Sequence, residues 1–277
     1  MDIRDLWDFN DPALSEERFQ AALAEETDPH QRAFIKTQIA RTLGLRKRFE
    51  EALALLDEVD AEIGPDTPGW ICAYAVMERG RVHRSSGDPE GAKPLFEEAC
   101  GLSEGVADVH IDALHMVALV VEPLESIAIS QEAIRLAKAS DDPRARKWLG
   151  SLLNNTAWSC HDLEDYDGAL QLFEDALEFR RESGANPEQV RIAQWSVARC
   201  LRSLGRYEEA LDMQRSISRG EAETDGYTDE EIAENLLALE RAEEAKPHFA
   251  RAYELLKDDP WLNDPDRLER LRTLGGV

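Results

Sequence analysis

The chain has 277 residues, 43% of them hydrophobic, and carries 57 acidic against 32 basic residues, for a formal net charge of −25. The apolar content is ample for a substantial core, so disorder throughout is not expected. A surface this acidic repels phosphate backbones and anionic lipids, which argues against nucleic-acid binding and membrane binding. No apolar run approaches the roughly 20 residues that span a bilayer, and residues 1–10 lack a basic start followed by an apolar stretch. We therefore expect a cytoplasmic protein.

The composition favours a non-catalytic protein without a metal or cofactor. No two of the four cysteines form a CxxC pair, so we expect buried thiols rather than a disulfide framework or a zinc site. His110 and His115 are five residues apart, which places them about 140° apart around a helix and prevents both rings from facing one metal. No phosphate-binding loop, nucleophile elbow or dinucleotide fingerprint is present. We expect no enzymatic activity and no catalytic residues.

The segment 164–177, EDYDGALQLFEDAL, predicts a helix with one apolar stripe, because Tyr166, Ala169, Phe173 and Ala176 follow the i, i+3, i+4, i+7 rule. Small residues in this stripe let a neighbouring helix approach closely. In chain order the pattern occurs as FEEALALLDEV (49–59), PEGAKPLFEEA (89–99), PLESIAISQEA (123–133), YDGALQLFEDA (from 166), YEEALDMQRSI (from 207) and AEEAKPHFARA (from 242). Its anchoring small residues are 34 to 43 residues apart and are Ala52, Ala92, Ser126, Ala169, Ala210 and Ala245. Such a period is typical of stacked two-helix repeats.

A second predicted helix precedes each copy, at 33–46, 73–86, 107–120, 150–163, 191–204 and 226–239. An acid or amide before proline marks helix starts, since the side chain caps free N–H groups and proline fits the first turn. These starts follow Asp11, Asp28, Asp88, Asp142, Asn186, Asp259 and Asp264. Pro94 and Pro247 stand inside the pattern and predict a kink or a late helix start. Strand signals are nearly absent, so the predicted fold is all-α.

These residues resemble the tetratricopeptide repeat family in its long-period form, most clearly at Gly205, Tyr207 and Ala210 in the fifth repeat. The third repeat departs from the family pattern with Pro123 and Ser126, and the fifth with Gln214 in place of a large apolar residue. The resemblance implies an α-solenoid, a right-handed superhelix of about six helix–turn–helix repeats. It covers residues 30–257, with an N-terminal capping segment at 1–29 and a C-terminal capping helix at 258–277.

The resemblance also implies that positions 2, 5, 9 and 12 of each repeat face a concave groove, with position 1 at residues 33, 73, 107, 150, 191 and 226. The expected groove residues that could bind a partner are Arg41, Met77, Arg81, Arg84, His115, Asn154, Trp158, His161, Trp195, Arg199 and Arg202. Arginines gathered in an acidic protein would form a positive basin that attracts a carboxylate or an acidic peptide. The tryptophans would supply flat apolar contact. The same spacing also allows arginines to pair with glutamates of the next repeat, and tryptophans to pack between repeats.

The sequence thus predicts a cytoplasmic scaffold or adaptor that binds a protein or peptide partner with acidic or C-terminal carboxylate character. The alternative is a self-association module that builds a homo-oligomer. In that case residues 1–29 and 260–277 would provide the contacts, with aromatic side chains at Trp7, Phe9, Phe19 and Trp261.

Overall fold

A computed structural model describes residues 2–219, 225–259, 262 and 264–277. Within these ranges all regular structure is helical and no β-strand occurs, so the predicted all-α class is confirmed. The helices are, in order, the 3-10 helix η1 (Ile3–Leu6) and the α-helices α1 (Pro12–Glu25), α2 (Pro29–Leu45), α3 (Phe49–Glu62), α4 (Gly69–Ser85), α5 (Pro89–Leu102), α6 (Ala107–Ala118), α7 (Pro123–Ala139), α8 (Pro143–Lys147), α9 (Leu149–Asp162), α10 (Tyr166–Glu182), α11 (Pro187–Ser203), α12 (Tyr207–Arg219), α13 (Gly226–Ala238), α14 (Ala242–Leu256) and α15 (Pro265–Gly275).

The chain forms two compact units, Met1–Leu152 and Leu153–Val277. The first unit contains η1, α1, the helix pairs α2/α3, α4/α5 and α6/α7, and the short α8. The second contains α9 from Leu153 onward with α10, the pairs α11/α12 and α13/α14, and α15. In each unit a helix packs against its neighbours in the chain, so the predicted α-solenoid class is confirmed.

The first helix of each pair forms one wall of its unit. Helix α4 contacts both α2 and α6, and α11 contacts α13. No contact of comparable extent joins the second helices α3 and α5. Because the first helices approach one another more closely than the second helices do, each unit has an inner face made by its first helices.

The six second helices begin at the residues where the sequence pattern places them, which are Phe49, Pro89, Pro123, Tyr166, Tyr207 and Ala242. The anchoring alanines of five repeats are at most 1% exposed, and Phe96, Phe173 and Phe249 beside them are equally buried. In the third repeat Ser126 is only half-buried and Leu124 is 75% exposed. The third repeat therefore differs from the other five in the packing of its second helix as well as in its sequence.

Side-chain caps explain where the first helices α2 and α11 begin, whereas α4 begins after Pro68 without a side-chain cap. Helices α2, α4 and α11 start four residues before the predicted 33, 73 and 191. The Asp28 carboxylate accepts from Gln31 N–H at 2.8 Å, and the Asn186 amide oxygen accepts from Gln189 N–H at 2.8 Å. Six of the seven predicted acid–proline or amide–proline starts are confirmed. The seventh, after Asp259, falls on residue 260, which lies outside the described residues.

Of the two alternatives expected at Pro94 and Pro247, the late helix start is wrong, and the kink stays a prediction. Both prolines are the sixth residue of a helix that begins earlier, at Pro89 for α5 and at Ala242 for α14. A proline there removes a single backbone hydrogen bond in the second turn. The buried anchors Ala92 and Ala245 hold that turn against the neighbouring helix.

The turn inside a pair has a fixed backbone geometry in five repeats. The residue two positions before the second helix has φ between +59° and +96° and is Lys47, Gly87, Glu164, Gly205 or Glu240. Glycine adopts this left-handed conformation freely, whereas other L-residues are strained in it. Three of the five turns therefore contain a strained residue.

The four cysteines are at least partly buried. Cys160 and Cys200 are buried, Cys72 and Cys100 are partly buried, and all four are free thiols. Burial raises the pKa of the Cys200 thiol to about 11. No cluster of metal-ligating side chains occurs among the described residues. No helix in the described part of the chain is long and apolar enough to cross a bilayer.

Candidate functional site

In the first unit, the position 9 arginines pair with carboxylates at position 6 of the next repeat. Arg81 on α4 donates from Nη2 to Asp112 Oδ1 on α6 at 2.5 Å. One repeat earlier, Arg41 Nη1 on α2 lies 3.5 Å from Glu78 Oε1 on α4. Arg81 also bonds Glu78 within its own helix. The Glu78 and Asp112 side chains are 1% and 5% exposed, so this is a buried ion network.

The network is electrically balanced, with two arginines against two carboxylates. Burial raises the pKa of Glu78 although both arginines act against the shift. Burial opposes the charged form of Arg81 too, but Asp112 and Glu78 outweigh it and raise the pKa of the guanidinium. These arginines therefore do not form the expected positive basin. They instead form ion pairs with carboxylates of the next repeat, which is the other arrangement that the spacing allows.

The remaining expected residues of the first unit have different environments. Met77 is 0% exposed and belongs to the hydrophobic core, so it presents no surface to a partner. Arg84 is exposed, and no ion pair joins it to any described residue. His115 is half-buried, with its ring centroid 5.6 Å from that of Trp148. Burial lowers the pKa of His115, and nearby Arg81 and Arg84 lower it further.

In the second unit, two tryptophans form an aromatic platform on the inner face. Trp158 on α9 and Trp195 on α11 have ring centroids 6.2 Å apart at an angle of 39°. Trp158 also packs edge-to-face on buried Phe173 at 4.9 Å and on His161 at 5.3 Å. Both tryptophans are half-buried, so they contribute to inter-repeat packing and keep part of each ring accessible.

Two arginines stand beside this platform and share one carboxylate. Arg202 donates from Nε and Nη2 to Glu231 at 2.7 and 2.9 Å, and Arg199 Nε lies 3.3 Å from the same carboxylate. The Glu231 side chain is 5% exposed, whereas those of Arg199 and Arg202 are 25% and 24% exposed. Burial raises the pKa of Glu231 against the effect of both arginines. Within the described residues, no acceptor bonds Arg199 Nη2 or Arg202 Nη1.

The carboxylates next to Glu231 have partners of their own. Glu230 accepts from Arg267 of α15, and Glu234 from Arg270 of α15. These ion pairs join four arginines of α11 and α15 to three glutamates of α13.

His161 links the platform to the arginines through Ser203. Its Nε2 lies 2.9 Å from Ser203 Oγ, to which Arg199 Nη1 donates at 2.7 Å. Burial lowers the pKa of His161, and Arg199 lowers it further. A neutral imidazole can form this hydrogen bond in either tautomer, because Ser203 Oγ can both donate and accept.

Two polar atoms at position 5 have no hydrogen-bond partner among the described residues. They are Asn154 Oδ1 and Trp195 Nε1, both buried. Asn154 Nδ2 reaches only Asn155 Oδ1, at 3.4 Å. Buried polar atoms without a partner are rare in proteins, so position 5 is the least satisfied part of this face.

The acids at position 6 pair with the groove arginines, and the sequence pattern did not identify them. Glu78, Asp112 and Glu231 share one register, three residues before position 9, and each receives an arginine from the preceding repeat. The signal was present in the sequence, because acids recur at this register in the repeats that follow Arg41, Arg81 and Arg199.

The aromatic residues of the amino-terminal segment pack within the chain. Trp7 lies edge-to-face on buried Phe19 at 5.2 Å, and Phe9 stacks on Trp7 while remaining 61% exposed. Of the expected self-association contacts, Phe19 is thus part of the core. Trp261 lies outside the described residues.

The repeats belong to a known class. Residues 157–219, from α9 to the end of α12, match the family model of the tetratricopeptide repeat. This match identifies residues 157–219 as tetratricopeptide repeats, and the helical repeats of the described chain share the fold of solved tetratricopeptide repeat structures. No curated protein sequence matches the chain significantly. Solenoids of this class present extended concave surfaces on which protein partners bind.

Solved structures with the same fold include RapI and a quorum sensor. The apo form of RapI superposes with a TM-score of 0.75 at 13% identity, covering 99% of this chain and 78% of that chain. The apo form of the quorum sensor NprR from B. thuringiensis gives a TM-score of 0.68 at 15% identity, covering 94% and 74%. A tetratricopeptide repeat protein from Parabacteroides merdae ATCC 43184 gives 0.55 at 17% identity, covering 99% and 96%. At these identities the likeness extends to the fold alone.

Proposed function

We propose that the chain is a non-catalytic, cytoplasmic scaffold or adaptor that holds an acidic or carboxylate-bearing segment of a protein partner. The main binding surface in this proposal is the inner face of the second unit, made by Asn154, Trp158, His161, Trp195, Arg199 and Arg202. In the first unit, exposed Arg84 beside His115 is a second candidate contact. Arg41 and Arg81 serve there mainly as structural ion-pair partners.

A single observation carries the proposal, namely that two arginines share one buried glutamate beside two tryptophans. Because the Glu231 side chain is buried and both arginine side chains are about a quarter exposed, the arginines reach solvent and the acid does not. Arg199 Nη2 and Arg202 Nη1 can each donate to a carboxylate from outside. The two tryptophans beside them supply apolar contact area for a bound partner.

The charge distribution favours an acidic partner. Arg199 Nη2 and Arg202 Nη1, which no described acceptor bonds, attract a carboxylate to this face, and the acidic surface of the remaining chain repels it. The same surface repels a basic segment at this face. A partner with an acidic stretch or a free terminal carboxylate therefore fits the surface best.

The test is capture of partners from a lysate of the native host by immobilised chain, followed by mass spectrometry and peptide titration. We expect Trp195→Ala and Arg202→Gln to lose the captured partner, while Arg206→Gln retains it. Arg206 is the matched control, because it forms an exposed pair with Glu209 at 2.7 Å in a turn. In Arg202→Gln, Arg199 still pairs with Glu231, so the helical content should not change. Equal capture by all four proteins, with equal circular dichroism, would refute the proposal.

A further inference from the structure

Residues 2–9, which we call the cover segment, lie against the inner face of the first unit. Ile3 packs against the core of α2, α4 and α6. Arg4 donates from Nη1 to Asp108 Oδ2 of α6 at 2.6 Å, across 104 residues of sequence. Asp2 Oδ2 accepts from Arg144 Nη1 of α8 at 2.6 Å. One end of the segment thus spans the third repeat.

The other end of the cover segment contacts the first repeat through aromatic groups. Trp7 Nε1 donates to Gln38 Oε1 of α2 at 2.9 Å. The Arg41 guanidinium carbon lies 5.6 Å from the Trp7 ring and 5.5 Å from the Phe9 ring. Those two rings stack in parallel with centroids 4.7 Å apart. This short segment therefore contacts three repeats on the inner face, as a bound peptide would.

The surface beneath the cover segment does not depend on it for charge balance. Asp108 has a second cation, Arg144, at 3.7 Å. Arg41 has Glu78 at 3.5 Å, and Gln38 donates to Thr37 Oγ1 at 3.1 Å. Departure of the segment therefore leaves Asp108 and Arg41 with another charged partner, and the losses are the hydrogen bond to Gln38 Oε1 and the apolar contact of Ile3, Leu6 and Trp7.

We propose that this surface binds, in trans, a segment of another protein that has the chemistry of residues 2–9, and that the cover segment competes with it in cis. The partner segment carries an acid, an aliphatic residue and an arginine, followed three residues later by a tryptophan. Its arginine pairs with Asp108, its first acid with Arg144, and its tryptophan with Gln38 and Arg41. This surface is separate from the Trp158 and Trp195 platform, so the inference goes beyond the proposed function.

The tether makes the cover segment a strong competitor. A segment joined to its own site by a short linker acts at an effective concentration of about 1 mM. If it is seated about 99% of the time, a partner segment binds about 100-fold more weakly than it binds the open surface. Regulation of this surface therefore acts by releasing residues 2–9.

The experiment titrates the fluorescein-labelled peptide DIRDLWDFN, the sequence of residues 2–10, into the full-length chain and follows anisotropy. The full-length Arg4→Glu/Trp7→Ala variant detaches its own segment, because the introduced carboxylate would face Asp108 and the stacked indole is gone. We expect this variant to bind the peptide at least about 10-fold more tightly than the wild type. Adding Asp108→Lys should abolish binding, and a peptide with alanine in place of its tryptophan should not bind.

Several results would overturn the inference. The inference is overturned if the double variant is folded and does not bind the peptide. It is also overturned if the wild type binds the peptide as tightly as the double variant does. If circular dichroism shows that the double variant is unfolded, hydrogen exchange of the wild type decides. Amides of residues 3–9 that exchange at least about 10-fold faster than those of mid-α2 support a displaceable cover, and equal protection refutes it. If the wild type is a dimer and the double variant is a monomer, the surface is occupied by a second copy of this chain. That result would contradict binding of a separate protein partner. None of these outcomes bears on capture through the second unit.

Discussion

Removal of Asp112 tests whether the arginines of the first unit are structural. In Asp112→Ala, Arg81 keeps Glu78 but loses its 2.5 Å bond to α6, and its side chain is only 13% exposed. Removing one partner of a buried ion pair typically costs about 3 to 5 kcal/mol. The remaining Glu78 contact argues for the lower value, about 3 kcal/mol. With a urea dependence of about 2 kcal/mol per molar, the midpoint of unfolding should fall by about 1.5 M.

The assay is urea denaturation by circular dichroism, together with hydrogen exchange of amides in α4 and α6, because a protein with two units need not unfold in one step. Glu132→Ala is the matched control, since Glu132 and Arg135 form a pair in which both side chains are about half exposed or more, at 47% and 65%. That control should stay within experimental error. Replacing both members, by Arg81→Met with Asp112→Leu, should not recover the lost stability, because it also takes the Arg81 guanidinium away from buried Glu78. If Asp112→Ala loses no more stability than Glu132→Ala, Arg81 is not held by the network.

Three further predictions concern packing, backbone geometry and charge. Gly80→Ala should destabilise by about 1 to 3 kcal/mol in urea denaturation, because the new methyl carbon would lie 2.5 Å from Phe96 Cε1; an unchanged midpoint would contradict this contact. Lys47→Gly should stabilise by about 0.5 to 1 kcal/mol, because φ is +59° there, and Gly205→Ala should do the reverse. An NMR titration of His161 should give a pKa below the ordinary value of about 6.5. Because the folded pKa is lowered, this residue's contribution to stability is present above about pH 6.5 and is lost as the pH falls through the folded pKa; a measured pKa above 6.5 would contradict the neutral ring.

The second helices were predictable because their signals are local. Tyr207 and Ala210 lie in one helical turn with a fixed apolar spacing, and the helix begins at Tyr207. The predicted starts of α6 and α13, at 107 and 226, are confirmed, whereas those of α2, α4 and α11 are four residues late because the apolar pattern begins one turn inside these helices. Asp28 and Asn186 were recognised as caps, and the structure begins α2 and α11 directly after them. Capping is therefore the better guide to helix starts in this chain.

The inner face was less predictable because its chemistry depends on which side chains meet across repeats. The position 9 rule identified Arg81 and Arg199 but gave no account of Glu78 or Glu231, whose burial decides how much charge the arginines present. The contact between Arg4 and Asp108 could not be derived from local pattern, since 104 residues separate them. Contacts of that kind depend on tertiary packing and not on a sequence motif.

The arginine-to-acid register has a consequence for how such a chain can be shortened. Arg41 already lies 3.9 Å from Asp112 as well as 3.5 Å from Glu78. Excision of the second repeat would bring α2 against α6, so that a cation again meets an anion at the junction. Excision of the fifth repeat would instead bring an indole, Trp158, against Glu231 and leave that anion without either guanidinium. We therefore expect that removal of the second repeat keeps a paired charge at the new junction, and that removal of the fifth repeat leaves the Glu231 carboxylate unpaired.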